Sequence, residues 1–189
     1  MTLGIEDGAF VVGGTTPFGL AVTRELVEHG ARVLLVGPKL ETLERVAEEL
    51  GDQAVPCVAD LADAEDAARV GGVAAALLGG VDGVVLTAGS LPEGDVFDQP
   101  DSEWLAVFSR SVWGPLGLLR GVLPLLEAEG GPIVFAVPAG VGTAGRVVRS
   151  MLDALLEELA GMLPPGVRLS RIEADPELAG TAARLLAPQ

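Results

Sequence analysis

An apolar run, Ala9-Phe10-Val11-Val12, stops abruptly in Gly13-Gly14-Thr15-Thr16-Pro17-Phe18-Gly19, and this junction constrains the fold more than any other stretch. Consecutive apolar residues bounded by a turn signal read as a strand buried on both faces. From Leu20 to His29, Leu20, Leu26 and Val27 fall on one side and Arg24, Glu25 and Glu28 on the other, which predicts an amphipathic helix. Strand, glycine turn and helix open a βαβ unit of the nucleotide-binding kind, because glycine lets a phosphate approach the backbone and the helix start offers N–H groups to it. Pro17 has no N–H and removes one such donor. The same turn also serves as a bare βα connection that binds nothing, so the rest of the chain has to decide.

Further strands are predicted at Arg32 to Val36, Ala54 to Val58, Gly83 to Leu86, Ile133 to Val137 and Val167 to Ile172. Helices are predicted at Leu40 to Leu50, Ala64 to Leu78 (capped by Asp63, weakened by Gly71-Gly72), from Asp101 or Ser102 to Leu126 with a kink at Gly114-Pro115, Val147 to Leu163, and Pro176 to Leu186. Pro56 places its strand at a sheet edge. Leu91 to Pro100 and Pro138 to Gly145 read as loops. Strands alternating with helices, with no linker or repeat, imply a single α/β domain over residues 1–189, a doubly wound parallel sheet of about six strands with helices on both faces. Its ligand crevice belongs at the carboxyl ends of the first and fourth strands.

Composition narrows the function classes. A net charge of −15 opposes nucleic acid and anionic membranes as partners. One cysteine, Cys57, excludes an internal disulfide, and an acidic start without a basic signal segment favours a cytoplasmic location. Cys57 reads as a buried, inert thiol, and His29 as a structural residue at a helix end. No metal-ligand cluster is visible. With no tyrosine and Lys39 as the sole lysine, proton chemistry based on those side chains is nearly excluded.

Several spaced features together resemble the short-chain dehydrogenase/reductase family, over nearly the whole chain. The family's G-x-x-x-G-x-G loop matches Gly13, Pro17 and Gly19, with the middle glycine lost. Glu28-His29-Gly30-Ala31-Arg32-Val33-Leu34-Leu35-Val36-Gly37 is similar to the family's first-helix end and second strand. Asp60-Leu61 stands where the family contacts adenine, and Thr87-Ala88-Gly89 resembles its N-A-G element. The resemblance implies a cofactor site formed by Gly13, Thr15, Thr16, Phe18, Gly19, Lys39, Asp60, Leu61, Ala88 and Gly89. Gly37 replaces the carboxylate that NAD-preferring members carry at the end of the second strand, and Lys39 is placed to pair with a 2′-phosphate, so NADP is the implied cofactor.

The family's catalytic residues do not carry over. Its Asn position is Ser111, its Ser position falls in Val137-Pro138-Ala139, and its Tyr and Lys fall at or next to Gly145 and Arg149. No catalytic residue is assigned; Ser111 and Arg149 are the two candidates. Ile172-Glu173-Ala174-Asp175 leads directly into Pro176-Glu177-Leu178-Ala179, so the substrate-covering segment and a seventh strand are expected to be missing. Glu173 and Asp175 are expected to oppose an anionic cofactor. The leading expectation is a non-redox relative that lacks the Ser-Tyr-Lys set. It would pair with itself or with a paralogue through helices 103–126 and 147–163, as the family does. Two alternatives stand beside it: an isomerase, cyclase or lyase using Ser111, Thr87, Ser90, Thr143 or Arg146 on a small hydrophobic metabolite, and an NADP-dependent oxidoreductase with another proton donor.

Overall fold

A computed structural model describes residues 4–127 and 130–188. The chain alternates β1 (Ala9–Gly13), α1 (Pro17–Glu28), β2 (Arg32–Gly37), α2 (Leu40–Leu50), β3 (Ala54–Val58), α3 (Ala64–Leu78) and β4 (Gly83–Thr87). It continues through α4 (Asp101–Phe108), α5 (Gly114–Glu127), β5 (Gly131–Val137), α6 (Gly142–Ala160), β6 (Val167–Glu173) and α7 (Ala179–Leu186). The strands form one parallel sheet in the order β3-β2-β1-β4-β5-β6. The order reverses between β1 and β4, which puts the switch point at the end of the glycine turn. Pro56 lies on β3, an edge strand as its missing N–H requires.

Side chains alternate along each strand, so the sheet feeds two cores. Val11, Leu34, Val84, Ile133 and Phe135 face α3, α5 and α6, where Val70, Leu118, Val122 and Leu152 meet them. Phe10, Val12, Val33, Leu35 and Val134 face α1, α2 and α7, against Phe18, Val22, Leu26, Leu43 and Ala182. Burying one such Leu or Phe fully contributes about 1.5–3 kcal/mol, which is why this pattern decides the fold. Cys57 is buried, and burial pushes its thiol pKa up, in keeping with an inert side chain.

Most boundaries that differ from the sequence expectation shift by one to three residues, and three differences bear on the site. α1 starts at Pro17, three residues early, because Thr16 caps it by accepting the Gly19 N–H at 3.1 Å and Pro17 fits the first helical position. The helix expected from Asp101 to Leu126 is interrupted by a π turn, Ser109–Trp113, just ahead of Gly114 and Pro115. α6 begins at Gly142, so the preceding loop is shorter than the glycine content suggested. Among the described residues, no helix is long and apolar enough to cross a membrane.

Candidate functional site

The glycine turn is held first by the protein itself. Gly14 has φ +118, open essentially to glycine alone, and a Cβ there would lie 2.1 Å from Thr87 Oγ1. Thr87 is buried at the end of β4 and donates from that hydroxyl to the Gly13 carbonyl at 2.8 Å. The Gly14 amide is committed to Val36 O at 3.0 Å, that of Gly19 to Thr16 Oγ1, and that of Leu20 to Thr16 O at 2.9 Å. Among the described residues, no protein acceptor takes the amides of Thr15, Thr16 and Phe18. Those three, at the positive end of α1, are what the turn offers to an anion.

Beside the turn lies a cleft of about 250 Å³. Of the expected cofactor residues it brings together Thr15, Thr16, Asp60, Leu61 and Gly89, and adds Gly14, Val36, Gly37, Pro38, Ala62, Thr87 and Arg110. The Asp60 carboxylate accepts the Ala62 N–H at 2.9 Å, and the Asp60 N–H donates to Asp66 Oδ2 at 2.9 Å. That N–H, with the Arg69 guanidinium at 3.0 Å, holds the Asp66 carboxyl below its ordinary pKa. The depressed value makes the Asp66 contribution complete above the ordinary carboxylate range and loses it as pH falls through the lowered pKa. The pair is exposed, so it orients the Asp60–Leu61 turn more than it stabilises the fold.

Other expected site residues stand elsewhere. The Phe18 side chain belongs to the core, which leaves only its amide for a ligand. Gly13 ends β1, and Gly19 in the first turn of α1 packs on the Gly14 carbonyl. Ala88 is buried, with its N–H on Ala136 O. Lys39 is exposed ahead of α2 and does not line the cleft. Ser111 is fully buried, 3.5 Å from the Gly89 carbonyl that its hydroxyl faces. Arg149 turns to Glu173 at 3.1 Å. Glu173, expected to oppose an anionic cofactor with Asp175, pairs with Arg149; Asp175 accepts the Glu177 N–H, and neither acid lines the cleft.

Arg110 was missed from the sequence. It lies over Gly89, where a Cβ would be 2.6 Å from Arg110 Cγ, and donates to Ser90 O at 3.2 Å while pairing with Glu103. The available signal was a cation immediately before Ser111 in an otherwise largely apolar segment. On the far side, Leu91 to Gln99 folds over the start of α6. Ala144 N–H donates to Gly94 O at 3.1 Å and Val96 N–H to Thr143 Oγ1 at 3.0 Å. Gly145, at or next to the position that the resemblance gives to tyrosine, is buried, and a Cβ there would lie 2.9 Å from Pro92 O and 3.2 Å from Gly140 Cα. Backbone therefore crowds Gly145 on two sides. Among the described residues, no group of three His, Cys, Asp or Glu side chains could hold a metal ion.

The family model described as short chain dehydrogenase matches residues 7–151. The cis-2,3-dihydrobiphenyl-2,3-diol dehydrogenase of Paraburkholderia xenovorans strain LB400 is 25% identical over 181 residues, covering 88% of this chain and 64% of that protein. The chain spans about six tenths of the length of the first curated relatives it matches, 64% and 59%. A short-chain dehydrogenase/reductase of the glucose/ribitol dehydrogenase type from Brucella melitensis superposes with TM-score 0.87 at 23% identity, over 100% of this chain and 92% of that one. A metagenomic short-chain oxidoreductase in complex with NADP superposes with TM-score 0.82 at 26% identity, over 96% and 92%.

Proposed function

The chain belongs to the short-chain dehydrogenase family, and from that premise we propose that it is a nucleotide-binding member that carries out no hydride transfer, acting through the ligand it holds or the chain it pairs with. The observation that carries this reading is Gly145, buried against the Pro92 carbonyl with no room for a side chain. The missing proton donor is then built into the packing. Carbonyl reduction needs an acid within hydrogen-bond reach of the carbonyl oxygen. The hydroxyl protons that could replace it are directed at backbone carbonyls: Thr87 donates to Gly13 O, Ser111 faces Gly89 O, and Thr143 faces Gly94 O.

The glycine-turn side of the cleft suits the adenosine part of an NADP(H)-type cofactor. The Thr15, Thr16 and Phe18 amides would take a phosphate, Leu61 would lie against adenine, and Gly37 presents no carboxylate to a 2′-phosphate. Lys39, close by in sequence and exposed, supplies a cation that can swing toward that phosphate. A related structure is a complex with NADP, which supports this choice. When bound, such a cofactor supplies hydride chemistry; among the described residues no positioned side chain supplies the matching proton. Purified protein titrated with NADPH and NADH is expected to bind NADPH saturably and to consume neither cofactor above blank with a panel of ketones and aldehydes. Sustained turnover of any member would sink the proposal.

Pairing is part of the same proposal. Leu105 on α4 and Trp113 in the π turn are 64% and 56% exposed, and Val147 and Met151 on α6 are 43% and 44% exposed. Large apolar side chains left in solvent on these two segments support association through 103–126 and 147–163, with a second copy or a paralogue. Light scattering at micromolar concentration is expected to give twice the chain mass for the homodimer. A strict monomer that takes up no paralogue would remove the pairing.

A further inference from the structure

A dinucleotide has two halves, and a doubly wound sheet receives them on opposite sides of its switch point. In this chain the cleft beside the glycine turn lies on one side of that point. The cleft is lined from the β1–α1, β2–α2 and β3–α3 turns, and it ends at Thr87, Gly89 and Arg110; no residue of β5, of α6 or of Leu91–Gln99 lines it. Its volume, about 250 Å³, falls below the roughly 300–1,000 Å³ of pockets that enclose drug-sized ligands.

The boundary is built from named contacts. Arg110 lies across Gly89 and is fixed by Ser90 O and Glu103, so its side chain walls the cleft at the switch point. Beyond it, Leu91 to Gln99 forms a strap seated on the first turn of α6. Gly94 O accepts the Ala144 N–H at 3.1 Å, and the Thr143 hydroxyl lies 3.4 Å from the same oxygen while accepting from Val96. A Cβ on Gly142 would lie 2.3 Å from Gly94 O, so strap and helix meet backbone to backbone. Leu91 packs against the main core and anchors the near end of the strap.

We infer that the cleft selects the adenosine half of a nucleotide alone, and that the Arg110 wall and the Leu91–Gln99 strap exclude the nicotinamide half of a dinucleotide. This rests on the nucleotide-binding reading above and specifies its ligand class: adenosine carrying a 5′-phosphate or diphosphate, with whatever follows the diphosphate left in solvent. The nicotinamide of NADP does not fit the residues present.

Isothermal titration of the full chain with matched pairs tests this, ADP against NAD+ and 2′-phospho-ADP-ribose against NADP+. Each pair is expected to differ in Kd by less than about threefold, since the excluded half adds no contacts. In saturation-transfer NMR on the NADP+ complex, the adenine protons are expected to receive saturation and the nicotinamide protons none. A dinucleotide bound more than about tenfold tighter than its partner, or saturated nicotinamide protons, overturns the inference while leaving nucleotide binding intact. No binding of any of the four ligands at millimolar concentration overturns the nucleotide-binding reading itself, and the inference with it. An Arg110→Gln variant adds a second check through the wall. In the NADP+ complex of this variant the nicotinamide protons are expected to gain saturation; unchanged nicotinamide silence would remove Arg110 from the inference.

Discussion

Gly71→Ala is expected to lower stability by about 3 kcal/mol or more, while the same change one residue on, Gly72→Ala, is expected to raise it by about 0.8–1 kcal/mol. The two glycines share a helix and a local composition but not an environment. A Cβ on Gly71 would lie 1.8 Å from the Gly121 carbonyl oxygen and 3.0 Å from Gly121 Cα, so α3 and α5 touch backbone to backbone at that point. No flexible side chain can yield there; one of the two helices has to move. At Gly72 nothing lies within 4 Å and the residue faces solvent, so alanine recovers the helix propensity that glycine gives up. For a chain of this size each kcal/mol moves Tm by about 2–4 °C, and two thermal melts therefore separate the variants by sign. If both variants melted below the parent by similar amounts, the helix crossing would be placed wrongly.

The effect reaches the cleft, because the crossing is a ladder. Gly114 meets the Leu61 carbonyl, where a Cβ would be 2.6 Å away, and Gly117 meets the Ala67 side chain at 2.8 Å. Gly114, Gly117 and Gly121 stand three and four residues apart, on one face of α5. They set the depth at which α5 lies on α3, and so the position of the Asp60–Leu61 turn that forms one wall of the cleft. Gly71→Ala should weaken nucleotide affinity as well as stability, although Gly71 touches no ligand position.

Those glycines show where the sequence was readable and where it was not. Element order and the bounds of α2, β3 and α3 followed from apolar periodicity, the Asp63 cap and glycine stops, because each is fixed by residues within one turn of the boundary. Pro56 gave the sheet edge for the same reason. The same glycines were read only as weak points, Gly71-Gly72 in a helix and Gly114 at a kink, because their role lies in a contact between segments roughly fifty residues apart. The cleft divides in the same way. Thr15, Thr16, Asp60, Leu61 and Gly89 were legible because they sit at fixed offsets from strand ends. Arg110 was not, since its place depends on the π turn, which rotates the segment ahead of Ser111 toward Gly89. The strap was read as a polar loop, and only its contacts with Gly142 and Ala144 show what it covers. For Glu173 and Asp175 the charge was visible in the sequence, while the Arg149 partner of Glu173 and the place of both acids outside the cleft lining were not.

Grafting the missing pair back, Gly145→Tyr with Arg149→Lys, is expected to yield a less stable protein that still reduces no carbonyl. The lysine is the mild half. The Arg149–Glu173 pair is partly exposed, and lysine can retain its charge contact, so Arg149→Lys alone should stay within about 1 kcal/mol of the parent. The tyrosine is the severe half. Its Cβ alone would stand 2.9 Å from Pro92 O and 3.2 Å from Gly140 Cα, and the ring has to displace the strap or the end of the loop after β5. Overpacking of this kind costs about 1–3 kcal/mol and sometimes more, or a fall in Tm of several degrees. A strap pushed aside loses the Val96–Thr143 and Ala144–Gly94 bonds and exposes Leu91, so the cost rises further. Nor does the new phenol gain a function. A tyrosine donates well near neutral pH only when a neighbouring cation lowers its pKa and a carbonyl is held within hydrogen-bond reach. Glu173 would compete for the lysine, and Arg110 still walls off the cofactor half that would bring a hydride. NADPH consumption at the blank rate together with a lowered melt is the expected pair of readings. Turnover with an undiminished Tm would show that the space at Gly145 is real and that the loss of catalysis is only two side chains deep.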